Sequence, residues 1–165
     1  MAADTFITPN VVPDITSSSS TALVPVGTLV NGTFGSEYMY IIAQSAIAQY
    51  DCVAILNSAS AATSVCASPM TTTFGALSPR VGFAQTALAA GAYGWVAIKG
   101  SNLRVNVLIS CQPAVGLYTT ATAGSLDDTI VSAGYVAGCV AISSAGSASA
   151  VQCIVSNANI EVSGF

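Results

Sequence analysis

From Val26 onward, branched and aromatic residues recur in short runs broken by Gly, Asn, Ser or Pro, the pattern of β-strands joined by turns. Gly27–Val30 is the first such run and is closed by Asn31-Gly32, a strong turn signal. Glu37–Ile42, Tyr50–Leu56, Arg80–Gln85, Val115–Thr119, Tyr135–Ile142 and Ala150–Val155 follow, with Asn159–Val162 as a candidate edge strand. The longest regular stretch, Ala92 to Ile109, reads as a hairpin with Gly100-Ser101 as a type II′ turn. That register sets Ile98 against Leu103 and Val96 against Val105 on one apolar face, and places Trp95, Ala97, Arg104 and Asn106 on the other.

Two stretches depart from the strand pattern. Residues 1–24 combine prolines and the run Ser17–Ser20 with Phe6, Ile7, Val11, Val12 and Ile15. Proline removes ladder donors and serine buries little, so an extended N-terminal arm lying on a neighbour fits better than a core strand. Asn57 to Gly75 reads as a long loop or irregular hairpin, with an unrecognised short strand such as Thr71–Phe74. Ser45–Gln49 and Thr86–Ala90 are alanine-rich but long enough for one helical turn at most. The expected class is all-β: a small β-sandwich or partly closed β-barrel over residues 25–165, with an extended arm over 1–24.

Composition narrows the function. Charged residues are 6% of the 165, against roughly a quarter in typical soluble domains. Hydrophobic residues are 53%, yet the longest charge-free stretch, Thr129–Ile160, is interrupted by Ser, Gly and Gln and offers no run of about 20 apolar residues. No membrane span is expected. A net charge of −4 with Arg80, Lys99 and Arg104 as the basic residues argues against nucleic acid as a partner. Met1–Thr5 lacks the basic start and apolar run of a signal peptide, so synthesis in a cytoplasm is expected. Cys52, Cys66, Cys111, Cys139 and Cys153 are widely spaced, match no zinc pattern and lie among apolar residues, which favours buried thiols over a disulfide.

Candidate chemistry is sparse. The chain has no His, and Asp127-Asp128 is the one adjacent acidic pair, in a context that favours a solvated turn. No Ser or Thr sits at a spacing that would activate it, and neither a phosphate-binding loop nor a dinucleotide fingerprint is present. No enzyme activity, cofactor or metal is expected. Trp95 and Arg104, diagonal neighbours in the hairpin register, either anchor a subunit interface or leave Trp95 as the roof of a second core layer.

Four stretches, in order, resemble a family of tailed-bacteriophage capsid decoration (cement) proteins. Leu23–Val30 is similar to that family's entry strand, Tyr93-Gly94-Trp95-Val96-Ala97-Ile98-Lys99-Gly100 to its tyrosine-glycine-tryptophan hairpin, Tyr118–Asp128 to the segment that follows, and Gly138–Ala141 with Val151–Val155 to its closing pair. The resemblance covers roughly residues 23 to 162 and departs from the pattern at the cysteines and between Ile55 and Phe74. It implies a non-enzymatic virion protein on the outer surface of the capsid that binds the major capsid protein, bridges its subunits and associates with itself, a homotrimer being favoured. In that reading Thr5, Phe6, Ile7, Thr8, Pro9, Asn10, Val11 and Val12 contact the capsid, by strand addition to an exposed sheet edge. A head-fibre or tail-associated adhesion module is the alternative, and it calls for an exposed aromatic patch or sugar-binding groove.

Overall fold

The computed structural model describes residues 14–57, 65–75, 80–130 and 134–161. Ten strands form one sheet: β1 (Leu29–Asn31), β2 (Glu37–Ala43), β3 (Cys52–Asn57), β4 (Val65–Pro69), β5 (Arg80–Ala84), β6 (Tyr93–Val107), β7 (Gly116–Thr119), β8 (Leu126–Asp127), β9 (Tyr135–Ala141) and β10 (Ser149–Glu161). A single helical turn, α1 (Thr72–Gly75), and a 3₁₀ turn at Thr33–Gly35 complete the regular structure.

The pairings close the sheet on itself twice. β2, β4, β3, β5 and β6 pair in a circuit that returns from β6 to β2. β6, β10, β9, β7 and β8 form a second circuit, which returns from β8 to β6 through Val107↔Leu126. The two rings therefore share β6, and β1 is paired along the outside of β2. Closure removes most unpaired strand edges, which suits a chain with so few charges to blunt them.

The first ring is narrow, as five strands dictate. Met39, Ile41, Val53, Ile55, Val96 and Ile98 fill it together with Ala43, Ala67 and Ala84, while Ile47 and Leu88 join the same cluster. Ile47 and Leu88 come from the two alanine-rich stretches, which form a mutual β-bridge rather than helical turns. At Gly82 the ring is tight: a Cβ there would lie 3.0 Å from Ile55 Cδ1 and 3.1 Å from Val96 Cγ2, so both side chains would have to give way. Leu103, Val105, Val107, Leu117, Leu126, Val136 and Val151 belong to the second cluster, which also takes in Phe83, Val81 and Ala97.

Four sequence expectations are corrected. Ala92–Ile109 is no hairpin: Tyr93–Val107 is one continuous strand. A type II′ turn needs positive φ at its glycine, and Gly100 lies outside that region. Instead, β6 carries an extra residue against β10 between the pairs Val155↔Gly100 and Cys153↔Leu103, a bulge where the strand passes from one ring to the other. Val96 and Ile98 consequently line the first core while Leu103 and Val105 line the second. The stretch 57–75 does hide a strand, but at Val65–Pro69, and Thr72–Gly75 is the helical turn. The Asn31-Gly32 turn is displaced: Gly32 is extended, and the chain reverses at Phe34 and Gly35, both at positive φ. Finally, Ala150–Val155 and Asn159–Val162 are parts of one strand, β10, whose ladder with β9 is interrupted between Val155 and Asn159.

Candidate interaction surfaces

Chemistry-bearing groups are tied into the framework. Asp128 accepts a 2.7 Å hydrogen bond from the Gln112 backbone N–H, and Asp127 accepts one from Asp128 N–H at 2.9 Å, so the pair braces a turn. Desolvation raises the Asp127 pKa above the usual carboxylate value. Among the described residues no three His, Cys, Asp or Glu side chains converge on a site able to hold a metal ion, and no helix is long and apolar enough to cross a membrane. All five cysteines are buried and free. Burial pushes the Cys111 thiol up to about 11, helped by the nearby Asp128 and Asp127 charges, and raises Cys52 further. Cys139 is raised as well, by its contact with the Cys153 thiol and by burial.

Asp51 forms a polar tie between the rings. Its carboxylate accepts from the Ala48 N–H at 2.8 Å and from Asn106 Nδ2 at 3.0 Å. Gly124, at φ +78, makes this possible, since a Cβ at that position would fall 2.2 Å from Asp51 Cγ. Burial raises the Asp51 pKa, opposed by those two hydrogen bonds.

Three surfaces face outward or receive other segments. On the first ring, Tyr40 packs between Tyr93 (ring centroids 6.2 Å, stacked) and Trp95 (4.9 Å, tilted). The chain that precedes β1 lies over this trio: Ser19 and Tyr93 exchange backbone hydrogen bonds at 3.0 and 2.7 Å, and Leu23 N–H donates to the Tyr40 hydroxyl. Ile15 and Val24 pack against the same core. Trp95 is thereby 5% exposed, roofed by its own chain.

Arg104 belongs to a different surface. It is exposed on β6, its backbone N–H and C=O are held by the Gln85 amide at 3.1 and 3.0 Å, and its guanidinium stands 5.4 Å from the Tyr50 ring centroid. Because β6 is continuous, Trp95 and Arg104 stand about 30 Å apart along it rather than as neighbours. The sequence-level pairing of these two residues is therefore corrected. Thr5 to Val12 lie outside the described residues.

The third surface is apolar, and its residues come together only through strand pairing. Ile154 and Val140 are directly paired across β10 and β9, Ile142 continues the row, and all three are exposed. Phe34 lines a shallow cleft of about 220 Å³ with Ile154, Lys99 and Ser156. On its other side Phe34 lines a more polar cavity of about 240 Å³ with Ser36, Tyr38, Ser101 and Asn102. Contiguous exposed apolar groups of this kind mark interaction sites on soluble domains.

No protein-family model and no curated protein sequence matches the chain. Among solved structures, the head fibre gp8.5 N base of bacteriophage phi29 has a similar fold, with a TM-score of 0.52 and 16% sequence identity. The likeness covers 75% of this chain and 97% of that one, so nearly the whole of that base has a counterpart in the fold described above.

Proposed function

We propose that this chain is a structural protein of a tailed-bacteriophage virion that sits on the outside of the head. The observation that carries the reading is the fold shared with a head-fibre base over 97% of that structure. The sequence resemblance to capsid decoration proteins points to the same location independently. Within that location the chain acts as cement: it binds the major capsid protein, bridges neighbouring subunits and associates with itself. Residues Thr5 to Val12 supply extended contacts to the shell, and the segment from Ile15 to Val24, fixed on the first ring, sets where that arm leaves the domain. Stabilisation comes from apolar area buried at about 25 cal/mol per Å², less ordering costs, multiplied over many copies.

The second reading is a head-fibre base, favoured by the identity of the structural neighbour. Co-sedimentation of the purified chain with expanded heads tests both. Cement saturates at many copies per head and raises the temperature at which shells come apart; a fibre base saturates at few sites and leaves that temperature unchanged. Absence of binding to heads refutes both. Deleting residues 1–13 should abolish or sharply weaken head binding while leaving the melting temperature of the domain within about 1 °C.

A further inference from the structure

Phe34 is the most exposed large apolar side chain among those described, at 85%, and its backbone stands at φ 55, ψ 31. That left-handed conformation is adopted routinely by Gly, Asn or Asp but is disfavoured for an aromatic residue. Phe34 belongs to neither core cluster, so packing within the chain does not offset the strain. A strained aromatic aimed at solvent points to a contact outside its own chain.

The chain also carries a matching hollow. Among the described residues, Gly27, Met39, Ile55, Leu56, Asn57 and Val65 line a cavity of about 420 Å³ at the mouth of the first ring, with the exposed Arg80 on its rim. Gly27, at φ +88, leaves this wall bare; a Cβ there would lie 3.2 Å from Val65 Cγ2. A chain cannot fill its own hollow with Phe34. The knob is at the tip of the β1–β2 hairpin and the hollow lies beside the Leu29↔Met39 pair, roughly 10 Å away along a hydrogen-bonded ladder. Surfaces that are complementary but separate on one molecule associate heterologously.

We infer that copies of this chain associate head to tail, with Phe34 of one copy seated in the hollow of the next. Glu37, three residues beyond the knob, and Arg80, on the rim, carry opposite charges across that contact. Lys99 stands opposite Glu37 in the sheet, so the charge contribution is small and the aromatic knob supplies most of the contact. The inference gives a surface to the self-association in the proposed function and does not depend on head binding.

Sedimentation velocity of the full chain over a wide concentration range tests it. Phe34→Asn keeps a residue at ease in the left-handed region, and Leu56→Arg fills the hollow. Each should weaken self-association roughly 10- to 100-fold, the range for burying one phenylalanine side chain. Mixing the two should restore assembly only as far as a pair, since one intact knob and one intact hollow remain. Arg80→Glu, on the exposed rim, replaces Leu56→Arg if that variant does not fold, with a several-fold loss expected. A parent chain that stays monomeric throughout, a Phe34→Asn variant that assembles like the parent, or a mixture that fails to pair overturns the inference. So does a Phe34→Asn variant that keeps its oligomeric state and loses only head binding, which would seat the knob on the shell.

Discussion

Thr119→Val should stabilise the protein. Thr119 is on β7, opposite Leu126, and is 0% exposed. Its backbone N–H donates to Gly134 O at 3.0 Å, but its Oγ1 has no hydrogen-bond partner among the described residues. An unpaired buried hydroxyl costs about 1–3 kcal/mol relative to water. Valine keeps the β-branched shape and the strand preference while removing that cost. Taking about 1–2 kcal/mol as the gain, and about 2–4 °C per kcal/mol for a chain of this size, the melting temperature should rise by about 2–8 °C. Differential scanning calorimetry at a fixed protein concentration reads this directly, since self-association makes melting concentration-dependent. Thr119→Ser is the control: it keeps the hydroxyl and removes a buried methyl, so it should melt below the parent. If Thr119→Val melts more than about 1 °C below the parent, the hydroxyl has a partner, such as an ordered water, and the reasoning fails.

Other expectations concern the tie between the rings and the thiols. Gly124→Ala places a Cβ 2.2 Å from Asp51 Cγ at φ +78, so it should cost about 3 kcal/mol or more and appear as loss of soluble protein or a large fall in melting temperature. Burial gives Asp51 a native pKa above its unfolded value near 3.9, so its contribution is greatest below that value and is lost as pH rises through the native pKa. Asp127 shifts the same way. Calorimetry between pH 4 and 6 should therefore show Asp51→Asn with a less favourable response to acid than the parent; identical slopes would refute the assignment. The five buried thiols should ignore a disulfide reagent in the native protein and all react in denaturant. Cys139 and Cys153 are diagonal neighbours, since Cys139 pairs with Val155 and Cys153 with Ala141.

Local alternation made most strands legible. Glu37–Ala43, Arg80–Ala84 and Tyr135–Ala141 fall close to where branched and aromatic residues place them, because burial selects those residues. What failed did so for long-range reasons. Gly100-Ser101 carries the local signature of a reversal, but pairing to β2 on one side and β10 on the other keeps β6 extended through it. Val65–Pro69 is made of small residues and a proline, and it becomes a strand only because β3 and the parallel β2 flank it. Asn157, at positive φ, sits where the β9–β10 ladder is interrupted, so the sequence pattern there reads as two strands rather than one. Of the candidate residues, Trp95 packs on Tyr40, which in turn stacks on Tyr93, and these neighbours come from the fold and not from the hairpin register. Phe34 carries no signal in sequence, since its exposure and strain follow from a turn displaced by three residues from Asn31-Gly32.

The strand common to both rings has a mechanical meaning. Two closed rings that merely touched would part at their interface under load, because only weak contacts would join them. Here the join is the covalent backbone of Tyr93–Val107, whose first half is stitched into one ring and whose second half is stitched into the other. A protein anchored to a pressurised shell by one ring and loaded at the other would pass that force along peptide bonds, and must break the sheet hydrogen bonds of β6 before either half yields.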